Sequence, residues 1–180
     1  MHTSQRLFCE LVREKFPEHF RVGPVIDIGS YDVNGNNRYL FSHGDYVGID
    51  LVHGPNVDRV SLAHELSDPD GLYRVVISTN MLEHDPNWRA SLRKMVSLLA
   101  PGGLLLVTCP GPGFPEHGTA RTGSLWASPA NQVSPGWENY YRALTSDDIM
   151  TSMALSEFDS CECVMPTSED TFFWGIKRQP

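Results

Sequence analysis

Long apolar runs are missing from this chain. Hydrophobic residues make up 41% of its 180 positions, yet nowhere do they continue for the roughly 20 residues that a membrane-spanning helix needs. Cysteine is scarce as well. Its four copies, Cys9, Cys109, Cys161 and Cys163, offer neither the paired CxxC spacing of a zinc ligand set nor a disulfide framework, and they read as reduced thiols in the cytoplasm. Cys161 and Cys163 fall on one face of an expected strand, where a free thiol packs as a small hydrophobe. Basic charge is short too. Fourteen Lys and Arg against 22 Asp and Glu leave a formal net charge of -8, which disfavours a protein that holds nucleic acid by neutralising phosphates. The first residues, with His2, Arg6, Glu10 and Glu14 interrupting the apolar positions, do not read as a signal peptide. Internal repeats and low-complexity tracts are lacking, and the length suits one domain spanning residues 1–180.

What is present alternates between two periods. Leu7, Phe8, Leu11, Val12 and Phe16 recur at helical spacing, with Thr3 or Ser4 as the expected cap, and the helix stops before Pro17. Val25, Ile26 and Ile28 then form the short apolar run of a strand buried on both faces, which breaks at Gly29 into Ser30-Tyr31-Asp32-Val33-Asn34-Gly35. Arg38 to His43 reads as a short helix turning Tyr39, Leu40 and Phe41 inward. Tyr46 to Asp50 is a second strand, Arg59 to Leu62 a brief third, and Tyr73 to Ser78 a buried fourth. Asp85 and Pro86 suit the start of a helix that carries Trp88, Leu92, Met95, Val96 and Leu99 to Ala100, where Pro101-Gly102-Gly103 should end it. Leu104 to Thr108 is a fifth strand, apolar throughout and hence central. Strand and helix in alternation give an α/β fold with a mainly parallel, doubly wound sheet.

From about residue 110 to 142 the character changes: Gly, Pro, Ser and His crowd the segment, and Phe114, Trp126, Trp137, Tyr140 and Tyr141 are spread through it. An insert this long in a compact domain is commonly a lid or binding loop. It leaves the fifth strand at its carboxyl end, the edge where open α/β sheets bind ligands. A short helix from Thr145-Ser146-Asp147-Asp148 follows, and Asp159 to Met165 with Thr171 to Lys177 read as a closing hairpin.

Asp50 stands about twenty residues beyond the Gly29 turn, at the end of the second strand. That is the spacing at which a carboxylate accepts hydrogen bonds from the ribose hydroxyls of a nucleotide lying across the first turn. A dinucleotide fingerprint would have GxGxxG opening directly into a helix; here Tyr31 and Val33-Asn34 follow Gly29 instead.

The strings VIDIGSYDVNG, GID, ISTNMLEHDPNW and LLAPGGLLLVTCP, spread over about residues 22 to 110, resemble the class I S-adenosylmethionine-dependent methyltransferases, most nearly the small type related to quinone-biosynthesis methyltransferases. The resemblance implies a Rossmann-like seven-stranded sheet in the order 3-2-1-4-5-7-6 with the last strand antiparallel, and S-adenosylmethionine as cofactor. It further implies that Asp27, Gly29, Ser30 and Tyr31 lie at the methionine part of the cofactor, Asp50 at the ribose, Leu51 against adenine, Ala63 and His64 at the adenine edge, and Asn80 and Met81 on the loop after the fourth strand. Two departures are visible. Tyr31 occupies the place of a usual second glycine, which brings Tyr31 or Asp32 within reach of the cofactor's amino acid moiety. Leu62 replaces a common acidic residue before the adenine-edge Ala, so that adenine recognition rests on backbone groups.

Methyl transfer from a sulfonium is an in-line displacement, in which positioning supplies much of the rate, and a general base is useful when the acceptor is a hydroxyl. His84 and His117 are the candidate catalytic residues, because imidazole ordinarily titrates near neutrality. An alternative for His84 is to orient the loop by hydrogen bonding. No set of metal ligands is expected. The expected acceptor is a small molecule or sugar-like compound. A nucleic-acid acceptor is disfavoured: Ser78-Thr79-Asn80-Met81 stands where an Asn/Asp-Pro-Pro-aromatic motif would be, and the length leaves no room for a target-recognition domain. A catalytically silent cofactor-binding module is the remaining alternative, and oligomeric state is left open.

Overall fold

The computed structural model describes residues 2–42, 44–124, 128 and 136–179. Its sheet has seven strands in the order β3-β2-β1-β4-β5-β7-β6. The strands are β1 (Val25–Ile28), β2 (Tyr46–Asp50), β3 (Arg59–Val60), β4 (Tyr73–Thr79), β5 (Leu99–Pro110), β6 (Phe158–Thr167) and β7 (Asp170–Lys177). Strands β1 to β5 pair in parallel, while β7 runs antiparallel to both β5 and β6. The expected strand order is therefore observed, as is the antiparallel hairpin.

Side chains alternate between the two faces of each strand, and the two resulting sets have different partners. Ile26, Ile28, Val76, Leu105, Val107, Cys109 and Phe173 point to the face covered by α2 (Trp88–Leu98), whose Trp88, Leu92, Met95 and Val96 close that half of the core. Val25, Val75, Ile77, Leu104, Leu106 and Trp174 point the other way, against Cys9 and Val12 of α1 (Thr3–Lys15) and against Phe20, Leu40, Phe41 and Tyr46. Both faces are buried, as the unbroken apolar runs of β4 and β5 require. A further helix, α3 (Ser146–Ser152), starts at Thr145, whose hydroxyl accepts the Asp148 N–H at 3.1 Å while the Asp148 carboxylate takes the Thr145 N–H. Among the described residues, no helix is long and apolar enough to cross a membrane.

Several local expectations are corrected. Thr3 and Ser4 lie inside α1, and the cap is His2, whose N–H donates to the Gln5 side chain at 3.0 Å. Leu7 and Leu11 are 54% and 62% exposed, while Gln5 is fully buried. The helix presents Gln5, Cys9 and Val12 to the sheet, a stripe one position away from the most hydrophobic one, because the Gln5 amide is fully paired there. The described residues of the segment after the Gly29 turn make a 3-10 turn, Arg38–Leu40, His43 at the end of the expected helix lying outside the described residues, and Tyr39 is 40% exposed beneath the Arg6 guanidinium, 4.8 Å from its ring centre. Asn87, rather than Asp85, precedes α2, although the Asp85 carboxylate does accept the Asn87 N–H and the Ser91 hydroxyl. Pro101-Gly102-Gly103 lies within β5. The register shifts between Tyr73 and Val75 opposite it, and a Cβ on Gly103 would stand 2.8 Å from the Ala100 carbonyl oxygen. Glycine thus serves a bulge here, not a helix end.

Candidate functional site

The carboxyl ends of β1, β2, β4 and β5 share one edge, and the strand order reverses between β1 and β4. A cleft opens there.

The turn after β1 is stitched to β2 by backbone. The N–H groups of Gly29 and Ser30 both reach the Ile49 carbonyl, at 2.8 and 2.9 Å. Gly29 has φ +84, and a Cβ on it would stand 2.3 Å from the Cβ of Met81, so only glycine fits between the two loops. Beyond it, the Tyr31 N–H donates to Asp50 Oδ2 at 3.0 Å and the Leu51 N–H to Asp50 Oδ1 at 2.7 Å. Burial pushes the Asp50 carboxyl above its ordinary pKa, and these N–H groups oppose the shift. The place of the usual second glycine is filled by an exchange. The Tyr31 ring lies against Gly54, where an added Cβ would come within 2.1 Å of the ring.

Side chains hold the longer part of the turn. Asp32 accepts the Gly35 N–H at 2.6 Å and the Asn36 amide at 2.7 Å. The Asn37 amide donates to both oxygens of Asp27, at 3.2 and 3.1 Å, and to Thr79 at 3.0 Å; the Tyr46 hydroxyl donates to Asp27 as well. Asp27 is fully enclosed. Desolvation pushes its carboxyl up to about 6, while the bonds from Tyr46 and Asn37 work the other way. After β4, Asn80 adopts φ +55, a conformation that asparagine tolerates. Its amide exchanges two hydrogen bonds with Gln5 of α1, at 2.5 and 2.8 Å.

The cleft has two connected halves. One, about 630 Å³ counting the space open to solvent, is bordered by Gly29, Tyr31, Asp50, Leu51, Ala63, Asn80 and Met81 among others. The second, about 940 Å³ on the same count, reaches Asp27, Ser30, the turn to Asn37, Phe114, His117 and Ser124. Gly29, Tyr31, Val33, Asn80 and His84 line both. Of the cofactor-binding and catalytic candidates singled out from the sequence, all but Asp32 and His64 border one half or the other. The His64 Nε2 stands 4.0 Å from Glu65 instead. The insert contributes Ser128 and Trp137 to the first half and Phe114, His117 and Ser124 to the second. Trp126 lies outside the described residues.

His84 and His117 come together, their ring centres 5.1 Å apart at 88°, with the Tyr141 ring 5.7 and 5.1 Å from them. Their environments differ. His84 is buried, and desolvation pushes its ring down to about 3, far from the ordinary imidazole value that drew attention to it in the sequence. Such a ring is neutral and offers a lone pair. Next to it Glu83 is wholly enclosed, and burial pushes its carboxyl up to about 8. Gln5, Glu83, Asn37 and Tyr46 were not anticipated as parts of the site. Only Glu83 left a local signal, by adjoining His84.

The family model of a methyltransferase domain matches residues 1–152. The chain belongs to that family. It is a class I S-adenosylmethionine-dependent methyltransferase, with the sheet order of that class. No curated protein matches the chain in sequence. Among solved structures, it is similar to the Burkholderia thailandensis 1,6-didemethyltoxoflavin-N1-methyltransferase, bound there to 1,6-didemethyltoxoflavin and S-adenosylhomocysteine, with TM-score 0.62 and 16% identity over 98% of this chain and 79% of that one. A methyltransferase from Archaeoglobus fulgidus gives TM-score 0.63 and 14% identity over 96% and 94%. The CurJ carbon methyltransferase gives 0.64 and 16%, with 97% of this chain covered but 54% of the other. At these identities the likeness speaks for the fold. The methyltransferase's own cleft fits the cofactor in the chemistry of its border, where the Asp50 carboxylate and a close-packed glycine turn stand together.

Proposed function

We propose that this methyltransferase transfers the methyl group of S-adenosylmethionine to a small-molecule or sugar-like acceptor. The observation that carries the reading is the continuity of the two halves through Gly29, Tyr31, Asn80 and His84. The first half holds the nucleoside: Asp50 accepts from the ribose hydroxyls while its own backbone partners keep it in place, and Leu51, Ala63 and Met81 supply apolar contact for the adenine. The Gly29-Ser30-Tyr31 turn takes the methionine portion. Asp27 acts as a buried post beneath that turn and does not exchange a proton with substrate. The cofactor supplies an electrophilic methyl group; the chain's task is to align an acceptor and exclude water.

The second half receives the acceptor. There the neutral His84 ring accepts a hydrogen bond that orients it, and the more open His117 takes its proton. The insert around residues 110–142 works as a lid on a single domain. Its Trp137 side closes on the nucleoside and its Phe114 side on the acceptor. The four free thiols agree with work in the cytoplasm.

Calorimetry with S-adenosylmethionine and S-adenosylhomocysteine tests the reading. Binding of both is expected, and no binding of either at millimolar concentration would sink it. In a screen of small phenolic, amine and sugar acceptors, His117→Ala should retain cofactor binding and lose turnover by about 10²–10⁴-fold, the usual contribution of a general base. Full turnover in both His84→Ala and His117→Ala would refute the acceptor-side assignment.

A further inference from the structure

Beside the acceptor half lies a cluster that methyl transfer does not by itself require. Glu83 and His84 stand in the 3-10 turn Leu82–His84 after β4, and the insert brings His117 over them. One ligand-capable atom from each of the three lies within 4.8 Å of the others. Glu83 is 0% exposed, and among the described residues neither of its carboxylate oxygens has a hydrogen-bond partner. His84 is 6% exposed, and its Nδ1 is equally unpartnered. The contact between these two, His84 Nε2 to Glu83 Oε1, is 3.8 Å, too long for a hydrogen bond. Buried polar groups without hydrogen-bond partners cost free energy in any fold, and such a pair, one member of which lines the cleft, is most economically explained by an occupant that both groups would bind.

We propose that Glu83, His84 and His117 form a divalent-cation site on the acceptor side of the cleft. Two imidazoles and one carboxylate are the donor set of Zn²⁺, Mn²⁺ or Fe²⁺ and not of the all-oxygen cations. Metal–ligand distances of about 2.0–2.2 Å require ligand atoms roughly 3.3 Å apart in a tetrahedral arrangement, so the cluster must contract by about 1.5 Å. His117, carried by the insert and less buried than the other two, is the member that would make that movement, leaving the Pro115 carbonyl that its Nδ1 meets at 3.2 Å. Gly118 allows the close approach: a Cβ there would stand 2.6 Å from the His84 ring. Three protein ligands leave coordination positions open. Because His84 and His117 both line the second half of the cleft, an oxygen or nitrogen of the acceptor can fill one of them. This last clause rests on the methyltransferase reading above; the cation site does not. With the cation bound, the two imidazoles act through it rather than as free bases.

The test is calorimetry on chelator-treated, dialysed protein titrated with Zn²⁺ and Mn²⁺, with Mg²⁺ as the oxygen-seeking control, and with S-adenosylhomocysteine titrated separately. One Zn²⁺ or Mn²⁺ per chain is expected, bound at least tenfold more tightly than Mg²⁺ and weakened at least tenfold in Glu83→Gln and in His117→Ala. Because removing a buried carboxylate can disturb folding, melting with and without Zn²⁺ accompanies each variant. His117→Ala, changed in the insert, should melt like the parent without Zn²⁺ and lose the parent's Zn²⁺-induced rise. Absence of stoichiometric binding, or binding equally tight in His117→Ala, overturns the proposal. Retained S-adenosylhomocysteine binding in these variants shows that such a failure belongs to the cation site and not to the methyltransferase reading.

Discussion

Replacing Asp50 by Ala is the most direct probe of the nucleoside half. In the folded chain the carboxylate already accepts the N–H groups of Tyr31 and Leu51, at 3.0 and 2.7 Å. Its remaining lone pairs face a bordered cleft, where a ribose diol would supply two more hydrogen bonds. A hydrogen bond to a charged group contributes about 1.5–3 kcal/mol, so removing the carboxylate should weaken S-adenosylhomocysteine binding by about 10- to 150-fold. The substitution also removes the Tyr31 N–H bond, one of the ties between the Gly29 turn and β2, which weakens binding without any contact to ribose. A cycle separates the two effects. The 2′-deoxy analogue of the ligand should bind the parent chain at least fivefold more weakly than S-adenosylhomocysteine does, but bind Asp50→Ala about equally, since the coupling disappears once its partner is gone. Calorimetry on the four combinations provides the numbers, and melting temperatures record how far the turn has loosened. If the deoxy analogue is penalised equally in both proteins, Asp50 does not bind the ribose, and its role is confined to holding the turn.

Other perturbations test other parts. Gly29→Ala combines a left-handed backbone costing about 1–2 kcal/mol with a Cβ 2.3 Å from that of Met81, and should abolish measurable cofactor binding; an unchanged affinity would show that the turn lies away from the ligand. Gln5→Ala leaves the Asn80 amide without its partner and should lower stability by about 1–3 kcal/mol in urea denaturation, with a null effect contradicting the pairing. Asp27 holds its proton more tightly when folded, its pKa being raised from 3.8 to about 6. The stability it contributes is thus complete below about pH 4 and lost as pH rises through about 6, on the order of 3 kcal/mol in all. The stability difference between the parent and Asp27→Asn should shift in that sense across the window, and a flat difference would refute it. Leu105→Ala, at a fully buried position of β5, should cost about 2–5 kcal/mol.

The strands were legible because β1, β4 and β5 are buried on both faces and so have uninterrupted apolar runs; their order came from resemblance, since periodicity says nothing of neighbours. The orientation of α1 was not legible. Leu7 and Leu11 outrank Gln5 on any hydrophobicity scale, and it is the distant Asn80, together with the His2 N–H, that explains why the glutamine is inside. Pro101-Gly102-Gly103 reads alike as a helix end or a bulge until Leu99 is seen paired with Tyr73. Of the residues bordering the first half of the cleft, Asp50 was legible from its spacing to the Gly29 turn, Gly29, Tyr31, Leu51, Ala63, Asn80 and Met81 came from the resemblance, and Ser61, Asp85 and Ser128 left no signal. The bonds from Asn37 and Tyr46 to Asp27 were not, because the partners lie 10 and 19 residues away with no periodic signal between them.

The insert leaves β5 at Pro110, and the chain returns through β6 to pair β7 along β5 from Leu104↔Ile176 to Pro110↔Asp170. The segment that lines the second half of the cleft is therefore a loop closed by a seven-pair ladder. Doubling the length of such a loop raises its closure cost by only about 0.6 kcal/mol, small beside what the ladder and the core contribute. Extra residues can enter between Pro110 and Thr145 with little penalty to the sheet and none to the turn at Gly29. On the reading proposed above, acceptor preference can in this way drift by insertion and deletion while the cofactor half stays as it is, which makes this stretch the place to graft new acceptor contacts.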